Sequence, residues 1–333
     1  MNGAGLDFAE RTVSDVLIVR ALGLGDLLTA VPALRAIADA FPNHRRILAA
    51  PAGLEPIAAM SGAVNELVDV APLGAIHVDR PPDVVINLHG RGPESHAVAL
   101  ATRPRRLIAF EHPDVPRSWG SPSWRVDEHE THRWCRLLSE SGIPADPRRL
   151  DLAPPSPPST ADAPGATVIH PGAASEARRW PVGRWAAVAA AEAVRGRCVL
   201  ITGTPTERPL ADDLAARAGL PPSAVLAGRT DLEELAAVIG SASLVLCGDT
   251  GVAHLATAFG TPSVVLFGPT PPACWGPPAD RAHVALWRGR SGDPHADVPD
   301  AGLLEITVDD VLAAIDRVRE DDRFVAATGG GRR

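Results

Sequence analysis

The chain has 333 residues, 45% of them hydrophobic, and a formal net charge of −8. It is long enough for two domains of ordinary size, and its acidity argues against sequence-independent binding to nucleic acid. All 32 basic residues other than histidine are arginines, so every cationic role falls to a permanently charged guanidinium. The polar N-terminus is unlike a signal peptide and no apolar stretch is long enough to span a bilayer, which predicts a cytoplasmic protein with peripheral membrane contact left open.

The first α/β domain is predicted over residues 1–158. It begins with the strand-like run "DVLIVRAL", a helix around Thr29–Phe41, and the further runs "RRILAAP", "ELVDV", "DVVINLHG" and "RRLIAF". Uninterrupted apolar strands that alternate with helical segments indicate a parallel sheet covered on both faces. Asp26 follows the first strand in the glycine-framed turn "GLGD", where it is either a helix N-cap or a carboxylate that faces a cleft.

A segment rich in Pro, Ser and Ala between residues 143 and 165 indicates a linker. The second α/β domain is predicted over residues 159–325. Its strands are "ATVIHPG", "RCVLITGT", "AVLAG", "LVLCGD" and "PSVVLFGP", with a helix from about Val182 and a terminal helix at about 307–321. Residues 326–333 are predicted to be a disordered tail. Two doubly wound halves place a ligand in the cleft between them, beyond the carboxyl ends of the strands.

The second half opens with "VIHPGAASEARRWP". A strand ends there in a loop of small residues that precedes a helix, an arrangement that suits an anion such as a phosphate. Ser175 can add a hydroxyl and Arg178 a positive charge. The alternative is a proline-rich turn with solvated arginines.

The stretch "LVLCGDTGVAHLATAFGTP" carries a stronger pattern. Thr250 and Gly251 stand at a predicted helix start, where free N–H groups favour an anion, and Asp249 can cap that helix or hold a hydroxyl. His254 lies about one turn into the helix, and it either faces the substrate or is a structural histidine.

Other polar residues allow two interpretations each. Glu207, a few residues after the strand "VLIT", either accepts hydrogen bonds from ribose hydroxyls or is an ordinary first-turn acid. Thr230 is predicted to cap a helix together with Glu233. His89 ends a strand of the first half and could touch an acceptor.

Neither the histidines nor the cysteines indicate a metal site. His129 and His132 in "DEHETHRWC" are assigned to a solvated helix face, because no matching ligand set stands nearby. The four cysteines are scattered, and Cys198 and Cys247, which lie in apolar runs, are predicted to be core residues.

Three motifs, "IVRALGLGDLLTAVPALRAI", "HPGAASEARRWP" and "GDTGVAHLATAFGTPSVVLFGPT", occur in the order and spacing seen in glycosyltransferase family 9, the ADP-heptose:lipopolysaccharide heptosyltransferases. The chain resembles this family from about residue 16 to residue 276. The resemblance implies the GT-B architecture, an α/β fold of two Rossmann-like domains facing a central cleft. It also implies inverting, metal-independent chemistry without a cofactor and a terminal helix that packs back on the first domain.

The resemblance also implies roles for individual residues. Asp26 matches the general base, and the matching donor-binding residues are Arg178, Glu207, Asp249, Thr250, Gly251 and His254. From the sequence pattern, Ser175 is predicted to join the donor-binding residues, and Gly25 and His89 are predicted to lie on the acceptor side. Arg178 stands where the family usually has a lysine, which keeps the charge but changes its reach.

The implied reaction moves a heptose-like sugar from a nucleotide-diphosphate donor, ADP-heptose, to a hydroxyl of a glycan, glycolipid or small natural product. Lipopolysaccharide biosynthesis is the family's setting, yet the acceptor-facing loops show no basic cluster for a phosphorylated lipid. The chain is expected to be a monomer that binds no nucleic acid. The alternatives are a sugar-nucleotide epimerase or another nucleotide-sugar enzyme on the same fold, an NAD(P)-dependent oxidoreductase, whose GxGxxG spacing is absent, and a non-catalytic nucleotide-sugar binding protein.

Overall fold

The computed structural model describes residues 14–153, 155, 164–279 and 282–327, with only the backbone described for 321–327. We call residues 14–153 the first half and residues 164–327 the second half. The predicted domain boundary at 158/159 lies outside the described residues. Of the tail predicted over residues 326–333, residues 326 and 327 are helical and the rest lies outside the described residues. None of the described helices is both long enough and apolar enough to cross a bilayer.

Each half is built on five parallel strands with helices between them. The strands of the first half are β1 (Asp15–Val19), β2 (Arg45–Ala50), β3 (Glu66–Asp69), β4 (Val84–Asn87) and β5 (Arg106–Ile108), and those of the second half are β6 (Thr167–His170), β7 (Val199–Ile201), β8 (Leu244–Gly248), β9 (Ser263–Leu266) and β10 (His283–Leu286). The helices are α1 (Leu24–Ala40), α2 (Glu55–Met60), α3 (Glu94–Ala101), α4 (Glu130–Glu140), α5 (Val182–Val194), α6 (Arg208–Ala218), α7 (Leu232–Ser241), α8 (Gly251–Phe259), α9 (Pro272–Trp275), α10 (Ala301–Leu304) and α11 (Val308–Ala327).

The first sheet has the strand order β3-β2-β1-β4-β5, which is the order of a Rossmann fold. Its central strand β1 is buried along its whole length. Ile18 of this strand pairs with Leu48 on one side and Ile86 on the other. A strand covered on both faces needs apolar side chains throughout, which is why "VLIV" shows no alternation. The predicted parallel sheet is confirmed.

The second sheet has the order β10-β9-β8-β6-β7, also with every pair parallel. The run "AVLAG", predicted as a strand, contributes only the single bridge between Val225 and Ile201 in the described chain. It stays short because a 3-10 turn at Pro222–Ala224 precedes it and Gly228, with a φ of 69°, ends it. This bridge lies beyond β7, where the Rossmann order would place the next strand.

The two halves are held together by an apolar contact between α1 and α8. Leu27 and Val31 of α1 belong to the same buried cluster as Val252 and Leu255 of α8, so one core continues across both halves. The first turns of the two helices nearly touch, since a Cβ built on Gly251 would lie 2.9 Å from the Cβ of Leu24. This buried contact between α1 and α8 forms one side of the cleft between the halves.

Two helix starts differ from the sequence-based predictions. Helix α1 begins at Leu24 with Gly23 as its N-cap, so Asp26 is the third helical residue and the N-cap interpretation is wrong. Its Oδ2 accepts a hydrogen bond from the Gly23 N–H at 3.3 Å, which is how an acid at this position satisfies the cap residue. Helix α7 is capped by Asp231, which accepts from the Glu234 N–H at 2.8 Å, one residue later than the predicted Thr230 cap.

The burial of Cys198 and the end of the last helix also differ from the predictions. Cys247 is buried, but Cys198 is exposed because it precedes β7 rather than lying in it. Helix α11 runs to Ala327, beyond the predicted 321, and its apolar face packs against α5, β9 and β10 of the second half. Val311, Ile315 and Val318 join the buried cluster of the second sheet, because that sheet leaves an apolar face for them to cover.

Candidate active site

A cavity of about 1020 Å³ lies between the halves, next to the contact of α1 with α8. The first half contributes the turn between β1 and α1, and the second half contributes the loops that follow β6, β7 and β8. These loops meet because carboxyl ends of parallel strands share one edge of a sheet. Eight of the predicted site residues line it: Gly25, Asp26, Arg178, Glu207, Asp249, Thr250, Gly251 and His254.

Asp26 lies at the N-terminal end of α1 with 29% of its side chain exposed. Its Oδ1 is 3.4 Å from Nη2 of Arg20, and the Arg20 Nε–H donates to the main-chain oxygen of Asp26 at 3.0 Å. Burial raises the pKa of Asp26, Glu130 raises it further, and the Arg20 charge opposes both. A partly exposed carboxylate with a raised pKa can both reach a ligand and accept a proton.

Arg20 is completely buried behind Asp26 and pairs with Glu130 at the start of α4, with 3.0 Å between Nη2 and Oε1. Glu130 also accepts from the Trp134 Nε1–H at 2.8 Å and pairs with Arg133. The Arg20 guanidinium stacks over the Trp134 ring, 4.8 Å from its centroid. A buried charge pair of this kind persists only when its hydrogen bonds are satisfied.

The sequence reasoning missed Arg20 and Glu130. Arg20 interrupts the apolar run "VLIVRAL" at its end, and a charged residue there could have been flagged as buried and paired. Glu130 stands in the segment assigned to a solvated helix face, and that assignment is wrong because Glu130 and Arg133 are buried. His132 is exposed as predicted, whereas Nε2–H of His129 donates to the Gly276 carbonyl of the second half at 3.0 Å.

Arg178 is the cation on the opposite side of the cavity. Its Nη1–H donates to the main-chain oxygen of Asp249 at 3.3 Å, and the Asp249 carboxylate lies 4.0 Å away. Burial raises the pKa of Asp249 to about 6, against the influence of Arg178. At 4.0 Å the ion pair between the two side chains is long, so the Arg178 guanidinium can still bind an incoming anion.

Helix α8 points its N-terminus at the cavity. Thr250 is its N-cap in extended backbone, and in the described part of the chain the Thr250 side chain makes no capping hydrogen bond. Apart from the Ala253 N–H, which donates to the Thr250 carbonyl at 3.1 Å, the N–H groups of the first turn are thus open to an anion.

His254, one turn into α8, contacts both halves. The Trp275 ring lies edge-on to it at 6.0 Å, and a Cβ on Gly25 would come within 3.1 Å of its Cδ2. A larger residue at position 25 would therefore require the imidazole to shift by a few tenths of an ångström. Burial lowers the pKa of His254 to about 4, so its imidazole is neutral at physiological pH. Trp275 also lines the cavity and was missed, because nothing in its proline-rich surroundings distinguishes it.

Glu207 is a capping acid that also lies at the cavity wall. Its Oε2 accepts from the Thr204 N–H at 2.8 Å and from the Thr204 hydroxyl at 2.9 Å, as a capping residue does. The same carboxylate lies against Gly172 at the cavity wall, where a Cβ on Gly172 would be 2.0 Å from Oε1. Gly172 of the "HPG" loop is what makes room for it.

Two predicted site residues do not line the cavity. The Ser175 hydroxyl donates to the Pro294 carbonyl at 2.6 Å and accepts from Nε–H of Arg178 at 3.4 Å, which ties down the loop that contains Pro294. His89 lies beside a small void with Val19 and Ala21 instead, and burial lowers its pKa. Within the described residues, no three His, Cys, Asp or Glu side chains come together as a metal site would require.

The profile of the protein family described as glycosyltransferase family 9 (heptosyltransferase) matches residues 106–298. A search of curated protein sequences finds no match. Among solved structures, the chain resembles the glycosyl transferase family 9 protein from Veillonella parvula DSM 2008, with a TM-score of 0.74 at 18% identity over 92% of this chain and 97% of that one.

Two E. coli structures are similar as well. ADP-heptose lps heptosyltransferase II gives a TM-score of 0.71 at 18% identity, over 92% of this chain and 99% of that one. Heptosyltransferase WaaC with ADP gives 0.68 at 21% identity, over 91% and 99%. These likenesses confirm the GT-B architecture. Because the family profile covers more than half of the chain, the chain belongs to glycosyltransferase family 9 and is a glycosyltransferase.

Proposed function

We propose that the chain is an inverting glycosyltransferase that needs no metal and moves a heptose-like sugar from a nucleoside-diphosphate donor to an acceptor hydroxyl. The observation that carries the proposal is that Asp26, from the first half, and Arg178, from the second half, line one cavity. A base and a cation on opposite walls suit a displacement in which the acceptor oxygen attacks one face of the anomeric carbon and the diphosphate leaves from the other.

Asp26 acts as the general base. It takes the proton of the acceptor hydroxyl while that oxygen bonds to the anomeric carbon and the bond to the diphosphate oxygen breaks. Burial raises the pKa of Asp26, which makes it a stronger base than a solvated aspartate. General-base catalysis by a positioned side chain contributes about 10²–10⁴-fold in rate.

Arg178 and the N-terminus of α8 stabilise the departing diphosphate. The guanidinium can donate two parallel hydrogen bonds to phosphate oxygens, and the N–H groups at Thr250 and Gly251 supply the partial positive charge of the helix end. Glu207 accepts hydrogen bonds from the ribose hydroxyls, and neutral His254 offers a hydrogen bond to the sugar or the phosphate.

ADP-heptose is the donor we propose first, because the family and the E. coli relatives with ADP-heptose or ADP in their descriptions point to it. The acceptor is a glycan, a glycolipid such as lipopolysaccharide core, or a small natural product. The first half lines the cavity with Gly23, Leu24, Gly25 and Asp26, a surface that suits an uncharged hydroxyl group. We extend the proposal to a cytoplasmic monomer that touches the inner face of the membrane when its acceptor is a glycolipid.

Thermal-shift measurements with ADP-, UDP-, GDP- and dTDP-sugars identify the donor, because a ligand that binds the folded state raises Tm by mass action. Product analysis with the stabilising donor then separates the candidates. A transferase consumes the donor only with an acceptor, whereas an epimerase converts it alone. We expect full activity after exhaustive EDTA treatment, and loss of activity would contradict metal independence.

Asp26→Asn tests the base directly. The asparagine side chain has nearly the same shape, and its amide oxygen can still accept the hydrogen bond from the Gly23 N–H. It cannot, however, accept a proton from the acceptor hydroxyl. We expect kcat to fall by about 10²–10⁴-fold with an unchanged donor Kd. Near-normal kcat in a folded variant would contradict the proposed role.

A further inference from the structure

Behind the cavity, one guanidinium serves two carboxylates. Nη2 of Arg20 lies 3.0 Å from Oε1 of Glu130 and 3.4 Å from Oδ1 of Asp26. Arg20 is fully buried and Glu130 is 5% exposed, and Glu130 does not line the cavity that holds Asp26. Glu130 therefore lies behind the site, and its hydrogen bond towards Asp26 goes to Arg20. We propose that Glu130 is a positioning residue that, through Arg20, sets both the orientation and the basicity of Asp26. This inference rests on the proposed function, in which Asp26 is the base.

The orientation follows from how Arg20 is held. Its Nη1–H donates to the Leu88 carbonyl at the end of β4, and its Nε–H donates at 3.0 Å to the main-chain oxygen of Asp26. A further contact, 3.4 Å from Nη2 to the Thr29 hydroxyl, ties the guanidinium to the next turn of α1. Glu130 supplies the remaining anchor from α4. The four anchors come from β4, two turns of α1 and α4, so the guanidinium plane has little freedom to rotate away from Asp26.

The basicity follows from the charge count. The Glu130 charge repels ionised Asp26 and so offsets part of the electrostatic stabilisation that Arg20 gives to it. Arg133 and the Trp134 Nε1–H bind Glu130 as well and satisfy its carboxylate oxygens at this depth. If Glu130 lost its charge, Arg20 would act on Asp26 alone and make it a weaker base.

The other titratable groups around Asp26 do not replace this effect. His129 precedes Glu130 on α4, His89 follows β4 near Arg20, and His254 faces Gly25 from α8. Burial lowers the pKa of all three imidazoles below the ordinary histidine value, so they are uncharged at neutral pH. Arg178 and Asp249 line the cavity from the second half, where they pair with each other.

The experiment compares Glu130→Gln with Glu128→Gln in the full chain, using kcat against pH with the donor identified by thermal shift. Glu128 is a matched control, because it stands two residues earlier and pairs with Arg136 at 2.7 Å. The rate falls at acid pH as Asp26 becomes protonated, so a lower Asp26 pKa moves that fall to lower pH. We expect Glu130→Gln to shift the acid limb downward and to lower kcat on the plateau by about tenfold, with KM for the donor within twofold. Glu128→Gln should leave limb and plateau unchanged.

Glu130→Asp extends the test and replaces the glutamine variant if that one does not fold. The shorter aspartate keeps the negative charge but holds it farther from Arg20. We therefore expect the acid limb to shift to lower pH by less than in Glu130→Gln. An unmoved acid limb in the folded Glu130 variants, or an equal shift in Glu128→Gln, overturns the inference. Failure of the proposed function looks different: Asp26→Asn would then keep its activity, whatever Glu130 variants do.

Discussion

The substitution Gly172→Ala should displace Glu207, whose carboxyl group supplies the three atoms nearest to an added Cβ. A Cβ at position 172 would lie 2.0 Å from Oε1, 2.3 Å from Cδ and 2.8 Å from Oε2 of Glu207, so the carboxylate has to leave. It is the end of a flexible side chain and can rotate away. Gly172 does not have a positive φ, so alanine fits its backbone.

The expected loss separates into a small stability term and a larger binding term. Rotation of Glu207 breaks two exposed hydrogen bonds to Thr204, which lowers the free energy of unfolding by about 1–2 kcal/mol. A hydrogen bond from a ribose hydroxyl to a carboxylate contributes about 1.5–3 kcal/mol. Its loss weakens nucleotide binding by about 10- to 150-fold, at tenfold per 1.4 kcal/mol.

Isothermal titration with ADP measures this effect, and Gly183→Ala is the matched control. Gly183 stands in the first turn of α5, where no atom lies within 4 Å of an added Cβ. In a Glu207→Ala background, Gly172→Ala should cause no further loss of affinity, because both substitutions remove the same contact. Wild-type affinity in folded Gly172→Ala, or a fully additive loss in the double variant, would refute the assignment of Glu207 to the ribose.

Three further predictions concern the rest of the cavity. Asp249 has a pKa of about 6, above that of an unfolded aspartate, so the folded state binds a proton more tightly and its free energy of unfolding falls as pH rises from about 4 to 6. Asp249→Asn should remove this fall of about 2–3 kcal/mol, which denaturant titrations at several pH values measure. Arg178→Gln should lower kcat by about 10²–10³-fold, with folding checked by circular dichroism, because it removes the charge that stabilises the leaving diphosphate, and an unchanged kcat would exclude that role. Gly251→Ala places a Cβ 2.9 Å from Leu24 and should lower the free energy of unfolding by about 1–3 kcal/mol. The Gly183→Ala control should be neutral or slightly stabilising. Equal effects of the two substitutions would show that the contact between α1 and α8 relaxes without cost.

Local patterns were sufficient wherever the physical cause is local. The alternation of apolar strands and helices predicted two parallel sheets, and the helix at Val182 begins where the sequence places it. The loops around Arg178 and Thr250 follow strand ends, and strand ends of a parallel sheet meet at one edge, so their shared cavity could be expected. The single-residue error at Thr230 has a local cause too, since Asp231 is an equally good cap.

Only the tertiary structure decided how charges are distributed behind the site. Arg20 and Glu130 are 110 residues apart in the chain, and no spacing rule links an arginine after β1 to a glutamate at the start of α4. The same holds for His129, whose partner is a carbonyl of the second half, and for α11, which covers the face its own sheet leaves open. A buried ion pair depends on which surfaces exclude water together, and that is a property of the packed chain rather than of any segment in it.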